Sequence, residues 1–225
     1  MFVNELNRND GIMRITIFGA AGNVGSRAVA EALARGHEVT AVIRTPARLY
    51  DFGTTVKVCV GDAGDSEDVA KLSAGQDLVI TATRPKVGHE RELVAITKAL
   101  FTGLAKTDIR LLVVGGAGSL MVPGDSNTLV VDDTRYVGAA WRSIALACTE
   151  QFAVCREQSD VDWTYLSPPA MLIPGERTGT YRRGCDELLV DEEGKSTISM
   201  EDFAVALIDE AERSRHPQAR FTVGY

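Results

Sequence analysis

Apolar and polar positions along this chain follow two rhythms. Six short runs rich in β-branched residues have the length and composition of strands: MRITIF (13–18), EVTAVI (38–43), TVKVCV (55–60), DLVIT (77–81), IRLLVV (109–114) and VDWTYL (161–166). Between most of them apolar positions recur about every 3.6 residues, which marks one face of a helix. Strands alternating with helices predict parallel strands joined by right-handed crossovers. The fold class is therefore α/β: a doubly wound parallel sheet in a three-layer α/β/α sandwich. The link TPARLYDFG (45–53) between the second and third runs leaves room for only about two helical turns.

Two helices can be read in detail. Leu93, Ile96, Leu100 and Leu104 form a single apolar stripe suited to packing on a sheet. A longer helix around 139–157 carries Trp141, Ile144, Cys148, Phe152 and Cys155 on one stripe, which places Trp141 and both cysteines in the core. After residue 166 the chain becomes SPPAMLIPGERTGTYRRGCDELLVDEEGKSTIS, with a strand pair near TGTYR and ELLV. Residues 168–198 thus read as a substrate lid, because long irregular stretches in compact domains are usually functional. Ser199 then caps a helix whose apolar face is Met200, Phe203, Leu207, Ile208 and Ala211, and RFTV adds a last strand. The organisation is an extension (1–12) followed by a single domain (13–225).

Composition narrows the function. The chain has 225 residues, 45% of them hydrophobic and 24% charged, enough for a full core. A net charge of -7, with basic residues scattered apart from Arg182 and Arg183, argues against a nucleic-acid surface. No run reaches the length of a membrane span, and the first residues lack a leader pattern, so a cytoplasmic protein without a membrane partner is expected. Cys59, Cys148, Cys155 and Cys185 form no CxxC pair, and neither a disulfide framework nor a metal site is expected.

Candidate chemistry lies at the strand ends. The first run leads into GAAGNVG, Gly19 to Gly25, in the first strand-to-helix turn. In a doubly wound sheet that turn borders the ligand crevice. Glycine there permits positive φ and close backbone approach, and the helix N-terminus favours a pyrophosphate. The alternative is a plain tight turn, which needs one glycine rather than three at equal spacing. Glu38 opens its strand, too far from a cofactor ribose; Arg44 and Thr45 close it, with Arg48 one turn later. An arginine at that end accommodates a 2′-phosphate, so NADP(H) is preferred, with NAD(H) as the alternative. Asp62, after the third strand, either accepts from an adenine amino group or belongs to a helix-capping turn. Thr81, Ala82 and Thr83, followed by Arg84 and Pro85, put small residues where the chain skirts a cofactor. His89 reads as a surface or cap histidine.

The stretches GAAGNVG, VIRTPARL, VGDAGD, RLLVVGGAGSL (110–120) and the block from DWTYLSPPAMLIPGERTGTYR to STISMEDFAVALIDE resemble atypical short-chain dehydrogenases/reductases. That group includes NADH-flavin reductase-like proteins, biliverdin-IXβ (flavin) reductase and NmrA-like proteins, and the resemblance covers nearly the whole chain from Met13. It implies a Rossmann-like fold with a phosphate loop at Gly19, Gly22, Asn23, Val24 and Gly25. It also implies a 2′-phosphate contact at Arg44 and an adenine contact at Asp62. The nicotinamide would be walled by Thr81, Ala82 and Thr83, and flanked by Gly115, Gly116, Ala117 and the loop to Ser119, and by Ser167, Pro168 and Pro169. GERTG would lie over the substrate.

One departure bears on mechanism. Short-chain dehydrogenases use a Tyr-x-x-x-Lys pair, in which the lysine lowers the tyrosine pKa. Here Tyr136 is followed four residues later by Ala140, Trp141 is followed by Ala145, and no lysine lies between Lys106 and Lys195. Ketone chemistry is thereby disfavoured. Reduction of a flavin, quinone or similar planar acceptor tolerates the loss, because its reduced anion is delocalised and solvent can supply the proton. Ser119 is the candidate for an assisting hydrogen bond. The expectation is an NADPH-dependent reductase, monomeric or homodimeric. A non-catalytic NAD(P)-binding sensor of the NmrA type, or a reductase or isomerase of a larger natural product, are the alternatives.

Overall fold

The computed structural model describes residues 11–45, 55–105 and 107–225. The first half runs β1 (Arg14–Phe18), α1 (Asn23–Ala34), β2 (Glu38–Ile43), β3 (Lys57–Val60), α2 (Ser66–Ser73), β4 (Leu78–Thr81), α3 (Glu92–Leu104) and β5 (Arg110–Val114). A hairpin of β6 (Met121–Val122) and β7 (Asp125–Leu129) comes next, then α4 (Arg142–Arg156) and β8 (Trp163–Ser167). The remainder holds β9 (Met171–Ile173), β10 (Arg182–Gly184), β11 (Thr197–Ser199), α5 (Met200–Arg213) and β12 (Ala219–Gly224).

Eight strands form the central sheet in the order β3-β2-β1-β4-β5-β8-β12-β10, all parallel except β10, which runs antiparallel to β12. The order reverses between β1 and β4, so the crevice of a doubly wound sheet opens there, next to the glycine turn. Alternation along β1 decides the layers. Ile15 and Ile17 face α1 and α5, joining Ala28, Ala32, Phe203 and Leu207, whereas Phe18 faces the side of α2, α3 and α4 with Val69, Leu100 and Val113. Each of these side chains is almost wholly buried, a gain of roughly 1.5–3 kcal/mol for each large one. The sandwich expected from the alternating pattern is thus present.

Three local expectations are corrected. TGTYR does not pair with ELLV: Arg182–Gly184 pairs with Thr222–Gly224, and Glu187 makes a lone bridge to Met121. A short strand set in a long irregular stretch finds the open edge of β12 instead. Trp141 is not in the core but 58% exposed. It ends a short 3-10 turn (Ala139–Trp141) ahead of α4, so it is off the helical stripe, whose buried residues are Ala147, Gln151, Val154 and Cys155. GERTG does not lie above the crevice but across α1 and α5, where Arg177 meets Glu31 and the Gly179 N–H meets Asp202. Most of the link TPARLYDFG, with Arg48, lies outside the described residues, as do residues 1–10 of the extension.

Candidate functional site

Six strand ends come level along one edge of the sheet. Phe18 pairs with Val42 and Thr81, Ile43 with Val60, Thr81 with Val113, and Val114 with Leu166. The residues just beyond these ends therefore stand side by side: Gly19, Arg44, Gly61-Asp62, Ala82-Thr83, Gly115 and Ser167-Pro168-Pro169. Strand spacing of about 4.8 Å puts Arg44 one strand from the glycine turn. The Ala20 N–H reaches the Val42 carbonyl at 3.4 Å, which ties the turn to that neighbour.

Glycine is required in this turn by contact as well as conformation. Gly19 has φ +77, and a Cβ there would lie 2.6 Å from the Ala82 carbonyl oxygen. A Cβ on Gly25 would lie 2.1 Å from the Gly19 carbonyl oxygen, so the first turn of α1 is pressed onto the loop. The Gly22 N–H closes the turn onto Gly19 at 2.9 Å. Gly22 is also the N-cap of α1, and no side chain caps it, nor does the first turn carry an acid. The leading N–H groups of α1, at Asn23, Val24 and Gly25, are left to a ligand, with a positive helix end behind them. Ser26 turns its hydroxyl to the Asn23 carbonyl at 3.3 Å rather than outward. A pyrophosphate fits this cradle.

Arg44 is exposed and has no ion-pair partner among the described residues. Asp62 makes a tight turn, its Oδ1 accepting from the Gly64 N–H at 2.8 Å, but it is not the cap of α2. That cap is Asp65, which accepts from the Glu67 and Asp68 N–H groups. Thr81 and Thr83 share a hydroxyl hydrogen bond of 3.0 Å beside Ala82, whose N–H is held by the Phe18 carbonyl. His89 pairs with Glu92 at 2.8 Å on the surface just ahead of α3.

The second glycine loop is shaped by what lies beneath it. A Cβ on Gly115 would strike the Tyr165 ring at 2.0 Å, and one on Gly116 would strike Cys148 at 2.7 Å. Tyr165 is fully buried; its hydroxyl accepts from the Gly116 N–H and donates to the Cys148 carbonyl at 2.9 Å. Burial pushes its pKa well up, so it serves as a buttress for the loop and not as an acid. Sequence reasoning missed this role. The available signal was a Gly-Gly pair after one strand with a tyrosine in the next strand of the sheet, paired with Val113. Burial also pushes the Cys148 and Cys155 thiols up to about 12, which makes them packing groups. Ser119 is 9% exposed, and its hydroxyl oxygen accepts from Arg220 at 2.9 Å, leaving one proton to offer. Arg220 in turn pairs with Asp186 and lies over the Phe152 ring. Pro168 and Pro169 are buried, and so is the Ser167 hydroxyl. Tyr136 is half-buried in a satellite cluster with Leu120, Val130 and Leu188.

Residues 173–181 form a strap. The Gly175 N–H donates to Glu201, and Arg177 binds Glu31 at 2.7 Å. Thr178 and the Gly179 N–H both donate to Asp202, and Tyr181 donates to Asp209. Glu31 lies in the third turn of α1, so GERTG crosses the outer helix layer below the glycine cradle. β9, which pairs with β11, keeps Met171 and Ile173 exposed.

Comparison with known proteins agrees with this geometry. A family profile described as NAD(P)H-binding matches residues 19–213. A crystal structure named "putative exported protein", from Burkholderia pseudomallei, is 40% identical, covers 95% of this chain and all of its own, and superposes with a TM-score of 0.85. A "putative epimerase" from Bacteroides thetaiotaomicron is 37% identical over 95% of this chain and 97% of its own, with a TM-score of 0.87. A "putative NADH-flavin reductase" from Streptococcus pneumoniae is 29% identical over 94% of this chain and 99% of its own, with a TM-score of 0.83. No described helix is long and apolar enough to cross a membrane.

Proposed function

This chain belongs to the NAD(P)H-binding family, and from that premise we propose that it binds NADPH and reduces a flavin, quinone or similar planar acceptor in the cytoplasm. The observation that carries the reading is the open N-terminus of α1, capless and acid-free, pressed against a glycine turn with Arg44 one strand away. Asn23, Val24 and Gly25 donate backbone N–H groups to the pyrophosphate. Arg44 takes the 2′-phosphate, and the second oxygen of Asp62 faces the adenine. Thr81, Ala82, Thr83, Gly115, Gly116, Ala117, Ser167, Pro168 and Pro169 border the nicotinamide.

When bound, the dinucleotide supplies a hydride from C4 of its nicotinamide. The protein's part is to hold two planar rings in contact, which is catalysis by proximity and orientation. No Tyr/Lys pair is available to protonate an alkoxide: Tyr136 is packed in a cluster and Tyr165 is buried beneath the loop. Acceptors whose reduced anion is delocalised and takes its proton from water suit such a site. Ser119 has one proton with which to assist, from a position fixed by Arg220.

The direct test is NADPH oxidation by purified protein with FMN, riboflavin and several quinones. Turnover above background with at least one of them is expected. Tight NADP(H) binding with no turnover, and oxidised dinucleotide bound as well as reduced, would instead identify a redox sensor.

A further inference from the structure

We propose that Trp141 and Arg84 form the platform on which the acceptor lies, and that they select planar acceptors carrying a negative charge. This deepens the reductase reading and rests on it. Trp141 keeps 58% of its surface exposed even though the Arg84 guanidinium sits 5.2 Å from its ring centroid. A single exposed apolar side chain means little. Its position gives this one significance.

Arg84 directly follows Thr83, in the wall expected beside the nicotinamide. Cys148 of α4 packs against Gly116 of the second loop, and the helix begins at Arg142, about 9 Å farther toward its N-terminus, with Trp141 just before it. Arg84 follows β4 and meets the indole, so Trp141 stands at the carboxyl edge near β4, and residues 138–143 around it are all exposed. Arg84 itself is exposed and has no ion-pair partner among the described residues; Glu90 acts on it only at longer range. The indole surface left exposed beside Arg84 offers stacking to a conjugated ring, and the Arg84 guanidinium, which has no carboxylate partner among the described residues, offers a charge-assisted contact to a phosphate or carboxylate on that ring. On a chain of net charge -7, this cation at the crevice mouth favours an anionic acceptor over a neutral one.

FMN and riboflavin share a ring system and differ by a phosphate, so they separate the two contributions. Binding of each to NADP⁺-loaded protein is read by equilibrium dialysis and by quenching of tryptophan fluorescence. Trp163, the other tryptophan, is 3% exposed and gives a steady background. Arg84→Ala is expected to weaken FMN binding about tenfold and to leave riboflavin within about twofold. Trp141→Ala is expected to weaken both about tenfold, Trp141→Phe less, and neither variant changes NADP⁺ affinity. If the wild type turns over flavin while both alanine variants bind FMN and riboflavin as it does, the platform lies elsewhere and the reductase reading stands. Equal loss of NADP⁺ and FMN in Arg84→Ala would also overturn the assignment, moving Arg84 to the dinucleotide. A wild type that neither binds flavin nor oxidises NADPH removes the reading and the platform together.

Discussion

Helices α1 and α5 pack side by side on the same face of the sheet, yet their N-termini are treated in opposite ways. α5 is closed by its own sequence: Ser199 accepts from the Asp202 N–H at 2.9 Å, and Glu201 and Asp202 occupy its first turn. Asp202 is buried, and it gathers Thr178, the Gly179 N–H and Tyr225 onto its carboxylate. Burial would raise its pKa, but these hydrogen bonds outweigh burial and hold it below the usual carboxylate range. α1 begins on Gly22 with none of this. A helix whose end needs a partner and is given none by its own chain is available to a ligand. A helix that holds its partner internally serves the fold.

The sharpest way to break the contrast is to give α1 the ending that α5 has. Gly22 sits at φ -80 and ψ 169, a conformation open to any residue, and a Cβ there meets the Gly19 oxygen at 3.2 Å. Gly22→Asp should leave thermal stability within about 1 kcal/mol of wild type, because a cap offsets the crowding. Its carboxylate would occupy the pyrophosphate position and weaken NADPH binding on the order of a hundredfold or more, measured by calorimetry. Unchanged affinity would refute the cradle.

Opening α5 is the converse experiment. Asp202→Ala strands three donors and should cost about 2–3 kcal/mol of unfolding free energy in denaturant titrations. NADPH affinity of the folded protein should change less than about threefold. Arg44→Ala should weaken NADPH about 10- to 100-fold, or about 1.5–3 kcal/mol, with NADH little changed. Equal loss for both dinucleotides would remove Arg44 from the 2′-phosphate. Ser119→Ala should lower kcat about three- to tenfold at unchanged stability, the loss of one assisting hydrogen bond; an unchanged kcat would remove its hydroxyl from the chemistry.

The strap adds a dependence on pH. Glu31 is held below its usual range chiefly by Arg177, and Asp202, Asp209 and Glu201 are held there by their hydrogen bonds in spite of burial. Groups with depressed folded pKa values contribute stability that is present above about pH 4.5 and lost as pH falls through the folded values. Protection against amide exchange in residues 175–181, taken relative to the intrinsic rate at each pH, should therefore fall below about pH 4, before the core opens.

The strand ends were legible because burial on both faces gives the inner parallel strands β1, β2, β4, β5 and β8 nearly continuous apolar runs, and the residues just past each run come level along one edge of the sheet. Gly19, Gly22 and Gly25 could be placed from sequence for that reason. The strap could not, because its partners, Glu31 and Asp202, are polar residues far off in sequence that carry no periodic signal. Helical spacing run back from Cys148 puts Trp141 on the apolar stripe, but α4 starts one residue later, at Arg142, and Trp141 ends a 3-10 turn that does not keep the helical period. Tyr165 read as one more apolar strand residue, and its service to Gly115 and Gly116 became visible only when β8 was seen beside β5.

The sheet order also bears on how the molecule is made. Among the described residues β10 pairs only with β12, which leaves the ribosome about forty residues later. During synthesis β1 to β5 emerge before α5, so the face of β1 on which Phe203 and Leu207 pack, like the strap and its edge strand, must wait until α5 and β12 arrive.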